Sequence, residues 1–293
     1  MRVLITGGAG FIGSSLAKNF IQQNRYEIYL VDDLSKGLEE NIPSSVNFIK
    51  MDLSDGRSVS NLPDVDIIIH LCGQSSGERS FEDVTKDLDS NYKSTLNLIQ
   101  YAIHRGIKKF IFSSSMSVYG DGDLVPKTPY GVHKLASEHL LKTFSSEFSH
   151  CILRLNNVYG PGQDMTDMKQ GMVSIFVSQA LNKGEIHIKG SMDRKRDFVY
   201  INDVIRLIRH VSEQKDFENM TIDVNSGEIS TVRKLIQIIS NHIRVSKTLI
   251  IEGTRGDQFS VPKKPDTFKE LMGIPATSLE DGLSQWIKTL KNK

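Results

Sequence analysis

Tyr130 and Lys134 stand four residues apart in "YGVHK" (130–134), and "SSSMSVYG" (113–120) ends ten residues before that tyrosine. Residues four apart share one face of a helix, so the ammonium can lie beside the phenol. A free phenol titrates near pH ~10 and is a poor base at neutral pH. A neighbouring cation favours the phenolate and brings that value down. "SSSMSVYG" closes the apolar run "KKFIF" (108–112) with four serine hydroxyls among eight residues and no charge. A hydroxyl at such a strand end can hydrogen-bond the same substrate oxygen that a phenol protonates or deprotonates. The set suits proton transfer on a carbinol or carbonyl, provided that something else carries the hydride. Tyrosine and lysine also share helix faces for purely structural reasons, so the reading depends on a hydride carrier being encoded nearby.

"TGGAGFIGS" (6–14) supplies one. It follows the first strand directly and opens a helix. Gly7, Gly10 and Gly13 permit a tight turn, a close approach of backbone to a pyrophosphate, and close helix–strand packing. Phe11 and Ile12 begin the helix whose free N–H groups face the anion. Asp32, at the end of the second strand in "LVDDLSKG", can accept from adenosine ribose hydroxyls and repel a 2′-phosphate. Asp33 strengthens NAD over NADP, while Lys36 could contact a phosphate. "MDLSD" puts Asp52 and Leu53 where an adenine edge is expected. The cofactor expected is NAD.

These residues need strands and helices to carry them. Short apolar runs at 2–6, 27–31, 46–50, 66–70, 108–113 and 150–155 read as strands covered on both faces. Helical patterns lie between them, most clearly at 11–24, 87–105 and 131–148. This alternation predicts an α/β fold, a Rossmann-type doubly wound parallel sheet that binds ligands at the carboxyl ends of its strands. After residue 158 the texture changes to the Gly-rich, polar "YGPGQDMTDMKQGM". A helix (171–183) and a strand (185–189) follow, and "RDFVYINDV" (196–204) reads as a return to the main sheet. The stretch 227–293 holds two or three helices and a strand at 248–252. The expected division is a cofactor domain of 1–158 plus about 197–226, and a smaller C-terminal α/β substrate-binding cap of 159–196 plus 227–293.

"TGGAGFIGS", "VDDLSKG", "HLCGQSS", "FSSSMSVYG", "YGVHK", "LRLNNVYGPG" and "RDFVYINDV" together closely resemble the extended short-chain dehydrogenase/reductase family. The nearest branch is its nucleotide-sugar epimerases, dehydratases and reductases. The resemblance runs through "RGDQ" (255–258) and "LEDGLSQWI" (279–287). It implies Tyr130 as the catalytic acid/base, Lys134 as the lysine on the nicotinamide ribose and Ser115 as the catalytic hydroxyl. Gly7, Gly10, Gly13 and Asp32 match the NAD fingerprint, and His70, Leu71 and Cys72 match the loop lining the cofactor. Asn157 matches an asparagine near the diphosphate of a UDP- or dTDP-linked sugar. Arg196 and Arg255 match the arginines that grip it, a task suited to a bidentate guanidinium. A homodimer is also implied.

The family's 4,6-dehydratases place Asp then Glu after the catalytic hydroxyl, as acid and base for elimination. Here Met116 and Ser117 stand there, and a thioether exchanges no proton. The leading expectation is an NAD-dependent 4-epimerase that oxidises the sugar transiently at C4. The alternative is an NAD(P)H-dependent 4-ketoreductase. "DGDLVPKTP" (121–129) is shorter than the corresponding epimerase segment, which leaves the sugar open. A non-catalytic NAD(P)-binding regulator is the reading from another class, and the presence of both Tyr130 and Lys134 argues against it.

Composition narrows the partners. The 36 basic and 35 acidic residues of the 293 leave a net charge of +1, which gives no electrostatic case for nucleic acid or an anionic membrane. Cys72 and Cys151 have no CxxC partner or histidine cluster, so no metal site is expected and both read as reduced thiols. "MRVLITGG" reads as a strand and turn from the first residue, without a signal peptide. No apolar run reaches the ~20 residues of a membrane span. A cytoplasmic location is expected.

Overall fold

Runs such as "RVLIT" and "DIIIH" bury side chains of both alternations, so the strands they form must be covered on both faces. The computed structural model describes residues 1–120, 122–253, 255–256 and 264–291. Asp257 and Gln258 of "RGDQ" lie outside the described residues. Six strands come first: β1 (Arg2–Thr6), β2 (Glu27–Asp32), β3 (Asn47–Lys50), β4 (Ile67–His70), β5 (Lys109–Ser115) and β6 (Ser149–Leu155). β7 (Asn157–Tyr159), β8 (Glu185–Lys189), β9 (Lys195–Tyr200), β10 (Met220–Val224), β11 (Ile229–Thr231) and β12 (Lys247–Ile251) follow. The main sheet has seven strands in the order β10-β6-β5-β4-β1-β2-β3. β1 pairs in parallel with both β2 and β4, and β2–β3 and β4–β5 are parallel too. The order reverses beside β1, which makes its carboxyl end a topological switch point. This is the doubly wound Rossmann-type architecture expected.

The chain divides into two compact units. The first comprises Met1–Val118, Thr128–Arg154 and Ile205–Ile222, and the second Tyr119–Lys127, Leu155–Val204 and Asp223–Lys293. In the first, Leu4, Ile68, Leu98, Phe110, Phe112 and Ile152 anchor the core. In the second, Tyr159 packs against Tyr200 and Trp286 at centroid distances of 5.6 and 6.4 Å. Three local outcomes differ from the sequence reading. β9 does not return to the main sheet; it pairs antiparallel with β11 and parallel with β7. An apolar run shows that a strand is covered, not which sheet covers it, and the strand completing the main sheet is β10. The helix expected over 87–105 is Val84–Leu88 and Ser94–Arg105 joined by a π-turn at Asp89–Lys93. The helix expected over 131–148 is Pro129–Thr143; Phe148 lies beyond it, stacked on Phe110 at 5.7 Å.

Pro129 at the first turn and Thr128, whose hydroxyl accepts from the Gly131 N–H at 3.1 Å, start that helix. Its buried face is polar: Tyr130, Lys134, Ser137 and Glu138 all lie on it. Glu138, fully buried, accepts from the Ser114 hydroxyl of β5 at 2.5 Å. It also accepts from Arg154 of β6, through Nε at 2.9 Å and Nη2 at 2.6 Å. One carboxylate thus ties the helix to two strands. Among the described residues, no helix is long and apolar enough to cross a membrane, and no group of three or more His, Cys, Asp or Glu could hold a metal ion. Arg154→Leu should leave the Glu138 charge buried without its partner and cost about 3–5 kcal/mol, measured by urea unfolding. Glu138→Leu with Arg154→Leu should cost less.

Candidate active site

The strand end "SSSMS" spends its hydroxyls on different tasks. Ser113 donates to the His70 carbonyl at 3.1 Å, and Ser114 serves Glu138. Ser115 accepts from the Ser117 N–H at 3.1 Å, and its hydroxyl acts on the Tyr130 phenol in the direction that lowers its pKa. Ser115 is therefore the hydroxyl paired with Tyr130, at the carboxyl end of β5. Tyr130 is 7% exposed and occupies the first turn of its helix, where the backbone dipole favours an anion. Burial nevertheless pushes its phenol up to about 12, against the opposing pull of the Ser115 hydrogen bond.

Lys134 is also buried. Its ammonium donates to the Ser113 carbonyl at 3.0 Å and lies 4.8 Å above the Phe112 ring. Burial brings it down to about 8. The ammonium's hydrogen bond goes to that carbonyl, and burial is the dominant influence on the Tyr130 phenol. Met116 is buried at 7% exposure within the short turn Met116–Val118 that follows Ser115.

The glycine turn is built as its spacing requires. Gly7 has φ +66°, and a Cβ there would meet the Cys72 backbone at 2.9 Å; a Cβ on Gly13 would meet the Gly7 carbonyl oxygen at 2.2 Å. Phe11 and Ile12 start the helix Phe11–Gln22, which has Gly10 as its N-cap, no side-chain cap and no acidic residue in its first turn. Asp32 is buried and accepts from the Ala9 N–H at 3.0 Å and the Leu34 N–H at 2.9 Å. Burial raises its carboxyl pKa against those bonds. A Cβ on Gly37 would lie 2.8 and 2.9 Å from the two Asp32 oxygens, so glycine keeps that flank of the carboxylate open. Asp33 turns inward on its own loop, accepting from the Ser35 N–H and hydroxyl.

Beyond β4, the Leu71 and Cys72 N–H groups donate to Thr6 Oγ1 at 3.2 and 3.3 Å. His70 is fully buried between the Thr6 and Thr95 hydroxyls, and burial holds it well below its usual pKa. The Cys72 thiol is pushed up to about 11, chiefly by burial. A Cβ on Gly73 would stand 3.4 Å from Lys134 Nζ and 2.4 Å from Asn91 Oδ1, a buried oxygen without a hydrogen-bond partner among the described residues. An uncapped helix start, an open flank at Asp32 and an unpaired acceptor beside an ammonium fit the pyrophosphate and two riboses of a dinucleotide. Asp52 is exposed and caps Ser54 at 2.8 Å. Leu53, 4% exposed, is a member of the core.

The second unit holds the residues expected at a diphosphate. Asn157 on β7 donates to the Asp197 carbonyl at 3.0 Å, pinning β7 to β9. Arg196 on β9 is 7% exposed and donates to the Lys195 carbonyl at 2.8 Å; Arg255 is exposed in a turn beyond β12. Sequence reasoning missed the polar cluster of Gln74, Asp87, Asn91 and His133, although the i, i+4 spacing of Asp87 and Asn91 was visible. Asp87 is 1% exposed and accepts from His133 Nδ1, Gln74 Nε2 and Asn91 Nδ2.

A model of the NAD dependent epimerase/dehydratase family matches residues 3–227. A solved structure of UDP-glucose 4-epimerase with UDP-glucose, from Thermotoga maritima, is 31% identical, with a TM-score of 0.92 over 100% of this chain and 99% of that one. A solved UDP-glucose 4-epimerase from Thermus thermophilus, complexed with NAD, is 27% identical, with a TM-score of 0.89 over 99% of each chain. The dTDP-4-dehydro-6-deoxyglucose reductase of Escherichia coli is 28% identical over 99% of this chain and 98% of its own. The chain belongs to the NAD dependent epimerase/dehydratase family.

Proposed function

We propose that the chain is an NAD-dependent nucleotide-sugar 4-epimerase. The observation that carries this reading is the buried Tyr130–Ser115 pair, with Lys134 behind it and no acid–base pair after Ser115. NAD, bound at the glycine turn, would accept a hydride from the sugar C4 and return it. Asp32 would hold the adenosine ribose and Lys134 the nicotinamide ribose. Tyr130 Oη takes the proton of the C4 hydroxyl, which becomes a ketone, and gives it back when the carbon is reduced on its other face. Ser115 donates a hydrogen bond to the same oxygen, and burial excludes water from the exchange. A phenol held at about 12 is a strong base once deprotonated, and a cationic ring beside it would lower its pKa. Met116 and Ser117 offer nothing to eliminate water across C5 and C6. Asn157, Arg196 and Arg255 are proposed as the grip on the diphosphate of a UDP- or dTDP-linked sugar.

A 4-ketoreductase is the second reading, supported by the short 121–129 segment and by the likeness to the E. coli reductase. It would run half of the same cycle. Exposed Val84, Leu88 and Val132, on two helices of the first unit that pack together, support pairing of two copies.

Incubation with UDP-glucose, UDP-GlcNAc and dTDP-4-keto-6-deoxyglucose, with and without NAD(P)H, should yield a C4-epimerised sugar by NMR without added reductant. Product only with NAD(P)H would favour the reductase. Tyr130→Phe should lower kcat by about 10²- to 10⁴-fold while leaving NAD affinity unchanged by calorimetry; near-wild-type turnover would remove Tyr130 from the chemistry. Asp32→Ala should weaken NAD by about ten- to a hundredfold and NADP much less, and equal losses would deny it the ribose role.

A further inference from the structure

Asn156 stands between β6 and β7, the first residue past the carboxyl end of β6. β6 neighbours β5 in the main sheet. The Ser149 N–H donates to the Lys108 carbonyl at 3.0 Å, so the two strands start side by side and run the same way. Doubly wound sheets take their ligands outside the carboxyl ends of the strands. β5 ends at Ser115, the hydroxyl proposed for the sugar C4 oxygen. Asn156 is 8% exposed, and its Oδ1 is buried without a hydrogen-bond partner among the described residues.

The other half of the amide is fully engaged, which fixes where that oxygen lies. Asn156 Nδ2 donates to the Val224 carbonyl at 3.1 Å and to Asn225 Oδ1 at 2.6 Å. Asn225 is itself oriented, because its Nδ2 donates to the Asp223 carbonyl at 2.8 Å. Turning the Asn156 amide over would set its oxygen against two others. Thr267, first residue of the helix Thr267–Met272, holds Asn225 in turn. Its Oγ1 accepts from the Asn225 N–H at 3.0 Å and donates to the Asp223 carbonyl at 2.7 Å. Its N–H donates to the Asn225 carbonyl at 3.1 Å. Asn225 and Thr267 are both buried. An acceptor held in this frame cannot rotate to find a partner, and burial without one is costly. A donor has to come to it. A diphosphate offers only acceptors, whereas a sugar ring carries several hydroxyls.

Resting on the reading that the substrate is a nucleotide sugar, we propose that Asn156 is a specificity-determining residue. Its Oδ1 accepts a hydrogen bond from a sugar hydroxyl other than the one at C4. A sugar lacking that hydroxyl leaves the oxygen unpaired and is rejected.

Calorimetry on the NAD-loaded protein with UDP, UDP-glucose and its 2-, 3- and 6-deoxy analogues tests this. One deoxy analogue should bind the wild type about tenfold more weakly than UDP-glucose does. Asn156→Ala should lose about tenfold for UDP-glucose, nothing for UDP and nothing further for that analogue, because both changes remove the same bond. Equal losses for every ligand, UDP included, would mark a structural role or a bridging water and overturn the inference. Unchanged affinity for UDP-glucose would overturn it too. If Asn156→Ala fails to fold, the wild type decides: equal affinity for UDP-glucose and all three analogues overturns the inference. A wild type that binds no sugar nucleotide removes the substrate reading and the inference together. An epimerase whose Asn156→Ala variant keeps the wild-type selectivity sinks only this inference, and the expected selectivity in a protein that forms no 4-epimer sinks only the epimerase reading.

Discussion

Burying ionisable groups is the constraint around which the first unit is organised. Tyr130, Lys134, Asp87 and Glu138 lie within three turns of chain and contacts of one helix, all under 10% exposed. Each would be costly in isolation, because a charge removed from water must be paired or neutralised. The molecule answers group by group. Arg154 matches Glu138 with two hydrogen bonds, Asp87 receives three N–H donors, and Lys134 rests on a carbonyl and an aromatic face. Tyr130 alone receives little help beyond Ser115 and the helix terminus. The group left least stabilised in its charged form is the one assigned the proton transfer, as expected where function requires a perturbed titration.

The glycine turn follows a related logic with backbone in place of charge. Gly7 and Gly13 close on each other and on Cys72 so tightly that no Cβ fits. Their closeness brings Ala9 within reach of Asp32 and leaves the helix start uncapped. A carboxylate held by two N–H groups is fixed in direction in advance, so little ordering would remain if it took the ribose role proposed for it.

Strands β1 to β6 were legible because parallel sheets demand apolar runs, and the glycine turn and Tyr130–Lys134 were legible because their spacing is local. Leu53 follows a strand end, where an adenine edge is expected, and its side chain belongs to the core, a packing role that position alone does not reveal. β9 was read into the main sheet and the strand that completes it, β10, was not read as a strand at all, because partner choice between sheets depends on long-range pairing. His133 escaped notice because a histidine on a helix is ordinary until Asp87, 46 residues earlier, is brought against it.

The position of β10 bears on how the chain reaches this state. It flanks β6 at the margin of the main sheet but is encoded about seventy residues later. During synthesis from the N-terminus, β6 therefore presents an unpaired hydrogen-bonding edge until residue 224 has emerged. The closing pairing is the long-range kind that slows folding, since a large loop must be ordered before it contributes. A nascent chain halted anywhere between 155 and 220 would carry a complete glycine turn and phenol–lysine helix on a sheet still open to association with another chain.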